Sequence, residues 1–156
     1  MPLPEVKIFI DGGARGNPGP SGYGVYVVAS DGTHLGSYFG YLGVQTNNVA
    51  EYHALLAALE HAGHSGWQRL WIGSDSELLV KQFRGEYRVK NEGLKRLYDR
   101  CRELARHFEE VSVGYLPRKR NAEADALANR AMNLCSSELP PGASDTGDVL
   151  AALEGS

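Results

Sequence analysis

The chain has 156 residues, 42% of them hydrophobic, with 16 Lys and Arg against 19 Asp and Glu and only two Cys. That length points to one domain that needs no staples. No apolar run approaches the ~20 residues of a membrane span and no signal-peptide pattern opens the chain, so the expectation is a cytoplasmic protein without a membrane partner. The net charge of −3 is unevenly spread: residues 136–156 hold Glu138, Asp145, Asp148 and Glu154 and no Lys or Arg, so the rest is positive by one.

In chain order, residues 5–10 read as a strand whose apolar run Ile8, Phe9, Ile10 stops at Asp11, and the glycine-rich 12–22 reads as a turn region. A carboxylate there is costly to desolvate unless something compensates its charge, although Asp-Gly is first of all a turn signal. Residues 23–29 and 34–42 read as two further strands joined by the hairpin signal Ser30-Asp31-Gly32. Thr46, Asn47 and Asn48 offer N-caps for a helix over about 48–63 with Leu55, Leu56 and Leu59 on its core face. A strand over 69–74, a short helix over about 76–84, a basic linker and a longer helix over about 92–108 follow. That longer helix carries the stripe Leu94, Leu97, Tyr98, Cys101, Leu104, Ala105, Phe108, so Cys101 reads as a small core residue; with Cys135 it makes neither a disulfide framework nor a zinc cluster. Val111–Leu116 reads as a fifth strand, and Asn121 as the cap of a last helix reaching about Leu134. Three meandering strands followed by strand–helix alternation imply an α/β fold, a mixed five-stranded sheet flanked by helices. The expected organisation is a single domain over 1–135 and an acidic, Pro/Gly-rich tail over 136–156, in which only Val149–Leu153 has the character to fold back.

Three more carboxylates share the odd placement of Asp11. Glu51 lies one turn before Leu55, Asp75 follows the strand Leu70-Trp71-Ile72, and Asp125 borders the apolar side Ala124, Leu127, Ala128, Ala131. Two at strand ends and two at helix–sheet seams suggest one converging cluster. Such like charges raise each other's pKa, and divalent cations remove the conflict; an all-oxygen set suits Mg²⁺ or Mn²⁺ and not zinc. Two such ions form the clamp used for phosphodiester hydrolysis. The glycine stretch matches neither dinucleotide nor P-loop pattern and reads as room for a substrate backbone. Asn17, Asn47 and Asn48 add neutral groups able to bond a ribose 2′-hydroxyl, or serve only as turn and cap residues. Between Lys81 and Arg106 nine basic residues face four acidic ones, which suits a phosphate-contacting surface or a solvated helix face.

The segments DGGARGNPGPSGYG, TNNVAEYHALLAALE, GSDSELLVKQ and RNAEADALA, in this order, resemble type 1 ribonuclease H over about residues 5–132. The resemblance implies a metal-dependent endonuclease that cuts the RNA strand of RNA–DNA hybrids, leaving 5′-phosphate and 3′-hydroxyl ends, with two Mg²⁺ ions when substrate is bound. Asp11, Glu51, Asp75 and Asp125 match the family's catalytic metal ligands. Asn17, Asn47 and Asn48 match its hybrid-contacting positions, and Thr46 its phosphate pocket. Double-stranded RNA is a second substrate for some relatives of the archaeal-type branch, and the chain is expected to be a monomer. Three departures stand out. Only Gly85–Asn91 bridges the gap where bacterial relatives carry a basic handle; Glu77 stands where many have Gln, as a substrate contact that can still accept from a 2′-hydroxyl; and Tyr115 stands where the family's mobile His is expected. The loop LPRKRN instead resembles the archaeal-type branch, in which an Arg seven residues before the last Asp assists; here that is Arg118. Two other functions compete: a 3′–5′ exonuclease of the same fold, disfavoured because Gly13 replaces the second acid of its first strand, and a hybrid-binding module without turnover, disfavoured by the complete carboxylate set.

Overall fold

The structure is a computed structural model that describes residues 4–140; Val149–Leu153 lies outside the described residues. Strands β1 (Glu5–Ala14), β2 (Gly19–Ala29) and β3 (His34–Gln45) lead into helix α1 (Asn47–Ser65), followed by β4 (Arg69–Ser74), α2 (Glu77–Phe83), α3 (Glu92–Ala105), β5 (Glu110–Tyr115) and α4 (Ala122–Leu134). The sheet order is β3-β2-β1-β4-β5. The first three strands pair antiparallel, while β1, β4 and β5 run parallel. This is the expected mixed five-stranded sheet, and every expected element is present. No helix among the described residues is long and apolar enough to cross a membrane.

Alternation along the strands divides the sheet into two faces. Val6, Ile8, Ile10, Val25, Val27, Leu70 and Ile72 form one core with Leu55, Leu56 and Leu59 of α1 and Leu94, Leu97 and Cys101 of α3. Each such aliphatic side chain contributes about 1.5–3 kcal/mol through burial. The other face bears Lys7, Phe9 and Asp11 on β1 and is crossed by α4, whose Ala124, Ala128 and Ala131 turn inward.

The glycine-rich stretch departs from its expected role. Residues 12–22 are not a turn region: β1 and β2 stay paired through Asp11↔Gly24, Gly12↔Tyr23, Gly13↔Gly22 and Ala14↔Ser21. Only Arg15–Pro18 turns the chain. Two glycines inside this ladder are there for helices. A Cβ on Gly12 would stand 2.3 Å from the Ala50 carbonyl oxygen of α1, and one on Gly24 2.3 Å from the Ala124 carbonyl oxygen of α4. The helices therefore lie directly on the sheet backbone, and Asp11 sits inside a paired strand between them.

Helix ends follow their sequence signals with one exception. Thr46 caps α1, its hydroxyl accepting from the Val49 amide at 3.2 Å. Asn91 and Ser76 cap α3 and α2 in the same way. Asn121, expected to cap α4, makes no side-chain cap hydrogen bond. It is fully buried and turned toward the middle of β1 and the end of β4. Beyond α4 the chain returns along the outer edge of the sheet: Glu138 exchanges both backbone hydrogen bonds with Phe39 of β3, at 2.9 and 3.1 Å, and Leu139 packs against the core. The first residues of the segment read as tail are thus seated on the domain.

Candidate active site

Four elements deliver the four carboxylates. Asp11 comes from within β1, Glu51 from the second turn of α1, Asp75 from the first residue after β4, and Asp125 from the first turn of α4. Oxygens of Asp11, Glu51 and Asp75 all lie within 4.8 Å of one another. Asp125 stands outside that trio, near enough to Asp11 to push its pKa up. All four line one cavity of about 410 Å³.

The cluster is electrostatically crowded. Burial first, then the neighbouring Asp75 and Asp125, push Asp11 up to about 8. Burial, then Asp11 and Asp75, hold Glu51 well above the usual carboxylate range. Burial also raises Asp75, against hydrogen bonding from Asn121 and the positive charge of Arg118. Glu51 Oε2 is buried with no hydrogen-bond partner. Carboxylate oxygens crowded together, one of them orphaned, fit a hard divalent cation.

The other expected residues divide. Arg118 reaches the cavity, its guanidinium 3.7 Å from Asp125 Oδ1 on a side chain 82% exposed. Asn47 also lines it, while its Oδ1 accepts from the Ala14 amide at 2.8 Å and its own amide donates to Asn17 Oδ1 at 3.0 Å. Asn17 and Asn47 therefore tie the β1–β2 turn to the start of α1. Thr46 and Asn48 flank Asn47 without lining the cavity. Glu77 does not line it either; it is exposed on α2 and ion-paired with Lys81 at 3.1 Å.

Three neighbours escaped sequence reasoning. Arg15 and Asn129 line the cavity and meet across it, guanidinium to side-chain oxygen at 3.3 Å. Asn121 donates to the Ile10 carbonyl at 2.8 Å and reaches Asp75 Oδ2 at 3.4 Å, joining the middle of β1 to the end of β4 behind the carboxylates. Its place four residues before Asp125, immediately ahead of α4, was the available signal.

Against known proteins, the family model described as reverse transcriptase-like matches residues 9–131. Ribonuclease HI of Halobacterium salinarum is 41% identical over 129 residues, 83% of this chain and 65% of that protein. The chain belongs to the type 1 ribonuclease H family. The halobacterial enzyme's crystal structure superposes with a TM-score of 0.80 at 40% identity, covering 83% of this chain and 98% of that one. The structure of LC11-RNase H1 in complex with RNA/DNA hybrid gives a TM-score of 0.80 at 38% identity, again over 83% and 98%. The bifunctional protein Rv2228c of Mycobacterium tuberculosis is 43% identical over 130 residues, 83% of this chain and 36% of that protein. This ribonuclease H homologue thus spans about a third of the mycobacterial relative and 65% of the halobacterial one.

Proposed function

We propose that this chain is a divalent-metal-dependent endonuclease that hydrolyses the RNA strand of RNA–DNA hybrids to 5′-phosphate and 3′-hydroxyl ends. The observation that carries this reading is the trio Asp11, Glu51 and Asp75, crowded within 4.8 Å at the floor of an open cavity. Asp11, Glu51, Asp75 and Asp125 would hold two Mg²⁺ ions, or Mn²⁺, with substrate bound. Those ions, when present, supply water activation and leaving-group stabilisation. The chain's own groups do the rest. Asn121 fixes the Asp75 carboxylate against the β1 backbone. Arg118, on the loop before α4, presents a permanent positive charge toward the scissile phosphate or the departing product; its guanidinium cannot shuttle a proton. Asn17, Thr46, Asn47 and Asn48, clustered at the start of α1, meet the hybrid backbone, with Asn47 nearest the cavity. A hybrid bound to the similar LC11-RNase H1 supports the substrate class.

The test is a 5′-labelled RNA annealed to DNA, incubated with Mg²⁺, with Mn²⁺, or with EDTA. Internal cuts that leave 3′-hydroxyl ends on the labelled fragments, abolished by EDTA, are expected. Stepwise shortening from one end would turn the reading to the exonuclease, and binding without cleavage in either metal would turn it to the hybrid-binding module.

A further inference from the structure

The face of the sheet that carries Asp11 and Asp75 continues away from the cavity. Residues two apart on a strand point the same way, so β1 runs Asp11, Phe9, Lys7 and β4 runs Asp75, Gly73, Trp71 along that face. α4 covers it over β1, β2 and β3, and leaves the β4–β5 side open. There a groove of about 790 Å³ is floored by Phe9 and Trp71 and walled by Tyr115, with Lys7, Lys119 and Arg120 along it. Tyr115 lines both groove and carboxylate cavity, so the two adjoin.

The floor has a particular shape. A Cβ on Gly73 would stand 2.6 Å from the Trp71 ring, and one on Gly114 3.0 Å from it. The indole therefore lies along the sheet over two residues that have no side chain, and presents its other side to the groove. Phe9 meets it edge-on at 5.8 Å, and Tyr26 and His34 extend the row of rings across β2 and β3. Three cations outnumber the two carboxylates of the groove, Glu5 and Glu123.

We propose that this groove is a second nucleic-acid site, taking a single-stranded stretch whose bases stack on Trp71 and Phe9 while Lys7, Lys119 and Arg120 meet its phosphates. Flat aromatic surface with flanking cations is the chemistry that holds single strands without reading their sequence. A duplex, its bases already stacked, gains nothing from the rings. Adjacency to the carboxylate cavity makes a single-stranded extension of the substrate, or the released product strand, the natural occupant.

Trp67→Phe leaves Trp71 as the sole tryptophan, so its emission reports the groove. In EDTA, titration with an oligothymidylate of about ten nucleotides is expected to quench that emission saturably. Anisotropy of a labelled oligonucleotide on the otherwise unaltered chain provides a second measurement should Trp67→Phe fold poorly. Lys7→Glu, on an exposed side chain, is expected to weaken binding several-fold and Trp71→Leu about tenfold, while the rate on a blunt hybrid with Mg²⁺ stays unchanged for Lys7→Glu. Absence of quenching, or an affinity indifferent to both substitutions, would overturn the proposal. So would equal quenching by heparin, which has charge but no bases. Because binding is read without metal or turnover, these results stand apart from the cleavage assay.

Discussion

The carboxylates are held in place against their own repulsion, and neutralising one of them relieves it. Asp11→Asn, Glu51→Gln and Asp75→Asn should each abolish hybrid cleavage while leaving metal-free thermal stability equal or higher; a variant that still cleaves near the wild-type rate would remove that residue from the metal site. The same crowding sets a pH dependence. Asp11 rises from an ordinary 3.8 to about 8 in the folded chain, and Glu51 rises well above 4.5. The folded state therefore binds more protons than the unfolded one in that window. This contribution to stability is full below about 4 and is lost as pH climbs to about 8. Thermal melts in EDTA should show that decline, and Asp11→Asn should flatten it; a wild-type chain that gains stability from pH 5 to 8 would contradict the crowded site. None of the five histidines lines the cavity, so the pH–rate profile should lack an imidazole limb at about 6.5. The proposed role of positive charge on the loop is tested in the same assay. Arg118→Ala combined with Lys119→Ala and Arg120→Ala should lower kcat on the order of ten- to a hundredfold, the scale of one lost electrostatic contact. An unchanged kcat would leave the loop without a catalytic part.

At the scale of elements, the close seating of α4 on β2 decides where Asp125 stands. Gly24→Ala puts a methyl 2.3 Å from the Ala124 carbonyl oxygen and 2.6 Å from Leu127 Cβ. It should destabilise the fold by about 1–3 kcal/mol in urea titration and lower kcat, because the helix it displaces carries Asp125. Gly36→Ala on β3, where a Cβ meets nothing within 4 Å, is the control and should be nearly neutral. The contrast shows what the sequence could and could not convey. Alternation and caps located the strands and helices, because those signals are local, and the four carboxylates stood out because each lies where an apolar run or stripe stops. Gly12 fell in a stretch read as a turn, and Gly24 in a strand with no visible reason to lack a side chain, because their partners are helix carbonyls far along the chain. Asn121 looked like a cap because the groups it bonds lie 111 and 46 residues away. The pairing of Arg15 with Asn129, separated by 114 residues, carries no local pattern at all.

Across the whole molecule, charge counted along the chain overstates the surface offered to phosphate. Of the basic run Lys81–Arg106, Lys81 pairs with Glu77, Arg84 bonds the Val113 carbonyl, and Arg102 bonds the Phe83 carbonyl while lying over its ring. Lys81 is thus engaged within α2, while Arg84 and Arg102 hold α2 and α3 to their neighbours; Arg88, Lys90 and Lys95 are exposed beside them. The return of the chain past α4 has a different kind of consequence. β3 is an outermost strand, with unpaired amides and carbonyls along one side, and such an edge is a template for a second copy of the same strand. Glu138 occupies the Phe39 position on that edge, and Ser137 Oγ accepts from the Tyr41 amide at 2.9 Å. Truncation after Ser136 should keep kcat within a few-fold, because no described residue beyond it lines the cavity. It should also uncover the edge, so that sedimentation of the shortened chain shows concentration-dependent assemblies where the intact chain stays monomeric; an equally monodisperse truncated chain would make the bridge incidental. On this account the short bridge acts as a guard against self-pairing and aggregation, a task set by what the chain must not bind.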